Sequence, residues 1–176
     1  MIDKIEFSRV VTLEEIGREG LHKELEASAE ECTALAPRLG LLAIGSVSAK
    51  LDIRKSNDGS VVTVTGRLAA RVTQECVVTL EPVEVEVSAE VNERFVRQEK
   101  VELEAVVEVG DEECYDEVIE GDSIDIGEMV SQCLTLELEP YPRKEGIKFD
   151  LSESDLNPEG VTGPFAELAG LKRNNS

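Results

Sequence analysis

Tryptophan is absent from this 176-residue chain, which holds four phenylalanines, two tyrosines and a single histidine. A core must therefore be assembled from Val, Leu, Ile and Ala. With His22 the only imidazole, His-rich metal sites are excluded, and any Ser-His-Asp or Cys-His arrangement has to use that one residue, on a strand-like stretch. No glycine-rich phosphate loop, nucleophile elbow or HExxH motif occurs. Nor is there an apolar run near the roughly 18 residues of a membrane helix. The start, MIDKIEFSRVV, lacks the apolar segment of a signal peptide. The four cysteines (Cys32, Cys76, Cys114, Cys133) form no CxxC pair, so free thiols are expected and a mixed Cys/Asp metal site is not. These absences point to a cytoplasmic protein, not an enzyme, with no cofactor, no small-molecule substrate and no membrane partner.

Basic residues are also few: 18 against 38 acidic, a net charge of −20. Residues 98–139 hold 15 of the carboxylates and one lysine. That segment is either a solvated face that maintains solubility or an electrostatic surface for a basic partner. The carboxylates of 111–125 do not match a calcium-loop spacing and read as a solvated cluster. Nucleic-acid binding needs several phosphate contacts, and only Arg143, Lys144 and Lys148 cluster, with Arg94 and Arg97 beside Phe95 as a second small patch. Any contact with RNA is thus expected to be indirect.

The apolar pattern alternates between two periods. IEFSRVV (5–11) and LHKELEAS (21–28) read as strands. Ser28 and Glu31 have capping-box spacing ahead of Cys32, Leu35, Ala36 and Leu39, the stripe of a short helix closed by Pro37 and Gly40. Val47–Ile53 and Val62–Val72 alternate on either side of the turn signal SNDG (56–59), a long hairpin. VEVEVSAEV (83–91) and VELEAVVEV (101–109) are half-buried strands with glutamates outside, Glu102, Glu104 and Glu108 among them. Asp125 and Glu128 have the spacing of a second capping box, before a helix with Ile126, Met129, Val130, Cys133 and Leu134 on one face and Pro140 as its stop.

The expected fold is α+β: a mainly antiparallel, strongly bent sheet or partly open barrel with two amphipathic helices packed on it. Residues 1–150 form one domain in this reading. Residues 151–176 form a loosely ordered tail with linker-like SESDLNPEGVTG and a short helix at most in PFAELAGLKR.

Two stretches, CVVTLEPVEVEV (76–87) and IDIGEMVSQCLTLELEPYPRKEG (124–146), resemble the YceD family, the large ribosomal RNA subunit accumulation proteins. FSRVVTLEEI and SAEECTALAPRLGLLAI are similar to the family's alphaproteobacterial form, and the resemblance spans about residues 5–148. It implies a non-enzymatic role in synthesis, processing or stability of 23S ribosomal RNA and assembly of the large subunit. The matching positions are Cys76, Leu80, Glu81, Pro82, Asp125, Glu128, Pro140, Pro142 and Arg143. Some members carry C-x-R-C where this chain has Cys76-Val77-Val78-Thr79, which removes a CxxC metal or redox reading here; Cys76 is otherwise a buried small hydrophobe.

The candidate interaction residues are Glu102, Glu104 and Glu108 on the acidic face, and Tyr141, Arg143 and Lys144 on the Pro-Tyr-Pro exit. Tyr141 either docks a partner or covers an edge of the core. The expected partner is a basic large-subunit ribosomal protein or a pre-ribosomal particle. The alternatives are a metal-dependent RNA-processing enzyme using the 111–125 carboxylates, or a general acidic protein-interaction module.

Overall fold

A computed structural model of the chain describes residues 5–97, 117–119 and 121–146. The chain divides into two compact units, residues 1–144 and 145–176, and all that follows concerns the first. The expected strand at 101–109, the carboxylates at 111–116, and the linker and final helical turn of the tail lie outside the described residues.

The elements run β1 (Val10–Thr12), β2 (Leu21–Glu26), α1 (Ala29–Arg38), β3 (Ala43–Lys55), β4 (Val61–Glu75), β5 (Pro82–Arg97), β6 (Glu117–Ile119), β7 (Ser123–Asp125) and α2 (Ile126–Glu137). Strands β2-β3-β4-β5-β6 form one sheet in that order, and β1 pairs with β7 in a separate two-stranded sheet. The fold is α+β. Among the described residues the large sheet is open, with β2 and β6 at its edges, and it is mixed: β5 and β6 pair in parallel, Phe95 beside Glu117. A parallel pair needs a connection of about a dozen residues or more, and the interval 98–116 supplies that length.

The long hairpin follows from its alternation. On β4, Val62, Val64, Leu68 and Val72 are buried, facing Val47, Leu51 and Ile53 of β3 and Val91 and Phe95 of β5 in one core. Its turn is set by Gly59 at φ +70° and by the Ser56 and Ser60 hydroxyls, both held by the Asp58 carboxylate. The outward face is a lattice of charge pairs across the strands: Lys50 with Glu24, Arg67 with Glu90 and Arg71 with Glu86. Such exposed pairs contribute little stability, but they leave this face with both signs interspersed.

Helix α1 packs on β3, and α2 packs against β1, β4 and β5. Ser28 caps α1 as a true capping box: its hydroxyl takes the Glu31 N–H, and the Glu31 carboxylate takes the Ser28 N–H. Arg9 also grips that carboxylate with both terminal guanidinium nitrogens, at 2.7 and 2.9 Å, and chiefly for this reason the Glu31 pKa is held down at about 2.

The start of α2 differs from its expected capping box. Asp125 caps it, taking the N–H groups of Gly127 and Glu128 at 3.0 and 3.2 Å. The reciprocal bond from Glu128 is replaced by an ion pair with Arg38 at the end of α1. Asp125 reaches further, accepting the Arg9 N–H at 2.7 Å and the Ser8 hydroxyl. The first strand starts only at Val10: the Arg9 carbonyl accepts the Ile126 N–H, but the Arg9 N–H is taken by the Asp125 carboxylate rather than by a strand carbonyl. The helix ends at Glu137, with Leu138 already extended, so the turn-out precedes Pro140. Among the described residues no helix is long and apolar enough to cross a membrane.

Candidate functional site

The β4–β5 turn, CVVTLEP, and the segment leaving α2, LELEPYPRK, are joined into one structure at the end of the long hairpin. Within the turn, the Leu80 N–H donates to the Cys76 carbonyl and the Cys76 N–H to the Glu81 carbonyl, both at 2.9 Å. Closing this loop puts Leu80 at φ +59°, the sole described non-glycine residue in the left-handed region. For a branched apolar side chain that conformation costs on the order of 1 kcal/mol or more.

Four bonds attach the exit segment, one of them from the Lys144 N–H to the Cys76 sulfur at 3.5 Å. The Val77 N–H donates to the Pro142 carbonyl at 3.0 Å. The Gln74 side-chain amide donates to the Glu139 carbonyl at 2.9 Å. The Lys144 ammonium meets the Glu81 carboxylate at 2.7 Å, which lowers the Glu81 pKa and raises that of Lys144. Pro142 is buried at the joint, and its rigid φ fixes the path on either side.

Cys76 lies under this joint, fully shielded yet outside the main apolar cluster. It is buried as expected, but it is a hydrogen-bond acceptor rather than a small hydrophobe. The Thr79 hydroxyl, then the amides of Lys144, Thr79 and Val78, stabilise its thiolate and bring its pKa down to about 6. Thr79, the residue that departs from the C-x-R-C pattern, is thus the one that faces the sulfur. Cys133 behaves oppositely: burial first and then the Glu93 carboxylate push it up to about 12. Because the folded pKa of Cys76 is depressed, its contribution to stability is full above its ordinary pKa of 9.0 and is lost as pH falls towards 6. The ultraviolet thiolate absorbance of the native protein should show a step centred near 6 that Cys76→Ser removes. A difference step at the ordinary thiol pKa would contradict this geometry.

What the joint leaves outside is as informative. Val77, Val78, Leu80 and Tyr141 are exposed, Leu80 by 68% and Tyr141 by 70%. Tyr141 therefore does not cover the core edge. Arg143 is exposed beside it, and exposed Glu75, Glu137 and Glu139 flank the two segments in sequence. Of the residues singled out from sequence, Cys76, Leu80, Glu81, Pro82, Pro140, Tyr141, Pro142, Arg143 and Lys144 all belong to this joint. Asp125 and Glu128 instead sit at the other end of α2, holding Ser8–Arg9 and Arg38. Glu102, Glu104 and Glu108 lie outside the described residues. Sequence reasoning missed Val77, Val78 and Gln74; the two valines carried a signal, as apolar residues inside a turn. Among the described residues, no three His, Cys, Asp or Glu side chains come together in a way that would hold a metal ion.

The class is an α+β protein whose long antiparallel hairpin carries two packed helices and ends in an exposed apolar turn locked onto a proline-rich exit. The family model for the large ribosomal RNA subunit accumulation protein YceD matches residues 64–172. The chain belongs to that family, and its role is in accumulation of the large-subunit ribosomal RNA. The match takes in both strands of the hairpin end, α2 and the exit segment, so the whole joint lies inside it. No curated protein and no solved structure is similar enough to count as a match.

Proposed function

We propose that the protein is a non-enzymatic factor in large-subunit biogenesis, supporting synthesis, processing or stability of the large-subunit RNA by holding a basic partner, a ribosomal protein or a pre-ribosomal particle presenting one. The observation that carries the reading is Leu80: a bulky apolar residue held at φ +59° with most of its side chain in water. Neither conformational preference nor core packing accounts for it, and strain of this kind collects at binding surfaces. With Val77, Val78 and Tyr141 it gives an apolar centre, the part of an interface that contributes most affinity.

Charge then selects the partner. The acidic side chains next to the tip, and the 15 carboxylates of residues 98–139, repel phosphate and attract Lys/Arg-rich chains. Contact with RNA falls to Arg143 and Lys144, and Lys144 is already engaged with Glu81. Such steering makes association fast at low salt and weaker where the Debye length shrinks to about 8 Å at physiological ionic strength.

The test is affinity capture of ribosomal proteins at low salt. Neutralising Glu102, Glu104 and Glu108 together should weaken capture severalfold while leaving the circular dichroism spectrum unchanged. Arg143→Glu should spare that capture while reducing any RNA recovered. Full capture by the triple variant, with loss in Arg143→Glu, would make the acidic face a solubility coat. Cleavage of precursor RNA by purified protein with Mg²⁺ would replace the reading with an RNA-processing enzyme.

A further inference from the structure

Two strand edges face each other across a cleft of about 540 Å³, lined by Ser8–Val11 on one side, Lys23–Glu26 on the other and Ile126 at its floor. The hydrogen-bond parity of each edge follows from single bonds. The Ala27 N–H donates to the Val47 carbonyl, so in this antiparallel register Leu21, Lys23 and Leu25 direct their backbone groups at β3. The backbone groups of His22, Glu24 and Glu26 therefore point away from the sheet. Ile126 donates to the Arg9 carbonyl and Leu13 to the Asp122 carbonyl, so Arg9, Val11 and Leu13 direct theirs at β7. Those of Val10 and Thr12 point away from it. Among the described residues neither edge has a strand partner. The Arg9 guanidinium reaches across one end to the Glu26 carbonyl at 3.3 Å. Strands pair at about 4.8 Å, so one extended chain between two edges needs roughly twice that spacing.

We infer that this cleft takes one extended segment of a basic partner protein as an added strand, paired to β1 on one side and β2 on the other. The walls specify its side chains. Val11, Leu25 and Ile126 are buried and face the inner side, where alternate residues of the strand must be apolar. Glu24 and Glu26 are exposed on the outer side; Glu24 is shared with Lys50, and Glu26 favours Lys or Arg at the position beside it. The same glutamates disfavour a second copy of this acidic edge, the usual defence of an unpaired strand. Strand addition gives affinity through the backbone and specificity through alternate side chains. The inference rests on the basic partner proposed above, but it adds a separate site and mode of binding.

The probe is a blocked peptide of about six residues, the usual strand length, alternating Lys and Val. Its affinity is measured by fluorescence anisotropy against the intact protein. A peptide with N-methylated alternate amides should bind at least about tenfold more weakly, and an alternating Glu-Val peptide should not bind. Hydrogen exchange should show new protection at the amides of Glu24, Glu26, Val10 and Thr12, a readout that needs no substitution in the protein. Glu24→Pro, which removes an outward N–H but no ladder bond, should reproduce the tenfold loss. Equal binding of the N-methylated peptide, protection at neither edge, or protection that arises from self-association without peptide overturns the inference. If ribosomal proteins are still captured in that case, the proposed function stands and only strand addition fails.

Discussion

Gly66→Val unfolds this protein or leaves it barely folded, with a loss of about 3 kcal/mol or more, the upper end for overpacking a buried site. Gly66 sits mid-way along β4, between Leu51 of β3 and Val91 of β5. A Cβ there would overlap the Lys50 carbonyl oxygen and come within 3.0 Å of the Leu51 Cα. Both obstacles are backbone atoms of a central strand pair, which cannot rotate aside as a side chain can. The cost falls on the strand that carries Val62, Val64, Leu68 and Val72 into the core and ends at the Cys76 turn. Urea denaturation followed by circular dichroism measures it, with Gly59→Ala, where no heavy atom lies near the added methyl, separating the effect of backbone strain from that of collision. A Gly66→Val protein with wild-type midpoint would mean that β3 and β4 are not packed in this register.

The second large effect is on binding. Leu80→Asn with Tyr141→Ser removes the two most exposed apolar groups of the joint while keeping its frame. Asn accepts the left-handed conformation better than Leu, and neither replaced side chain is part of the core. The bonds Val77 to Pro142 and Gln74 to Glu139 involve other groups and persist. The melting temperature should therefore stay the same or rise slightly. Truncating central apolar anchors of an interface costs on the order of 2 kcal/mol or more, so partner affinity should fall about thirtyfold. Equal affinity in the double variant would leave the exposed tip without a role.

How much of this was legible in the sequence differs from element to element, for physical reasons. The hairpin and α1 were readable because their information is local: period-two alternation, SNDG, and Ser28 with Glu31 three residues on. The same spacing misled at α2. Asp125 and Glu128 look like a capping box, but the Glu128 carboxylate is drawn to Arg38, an interaction no local window contains. Likewise Ser8–Arg9 read as strand because their apolar neighbours alternate, whereas Asp125 takes their donors. The parallel strand β6 has three residues, too few to show a period. The joint was half legible. Its two segments stood out by composition and by family resemblance, and Pro142 with Arg143 marked a rigid exit. That they touch depends on the Val77 N–H meeting the Pro142 carbonyl, a contact between residues far apart in sequence. The acidity of Cys76 likewise needs Thr79 and Lys144 in place together.

The most direct measurement is made in cells lacking the protein and supplied with either the wild-type chain or the Leu80→Asn, Tyr141→Ser variant at equal abundance, with mature large-subunit ribosomal RNA quantified against that of the small subunit. The account predicts that the wild-type chain restores the large-subunit RNA and that the stable, folded double variant does not. Restoration by both chains would contradict the claim that the exposed tip of this joint is how the protein acts.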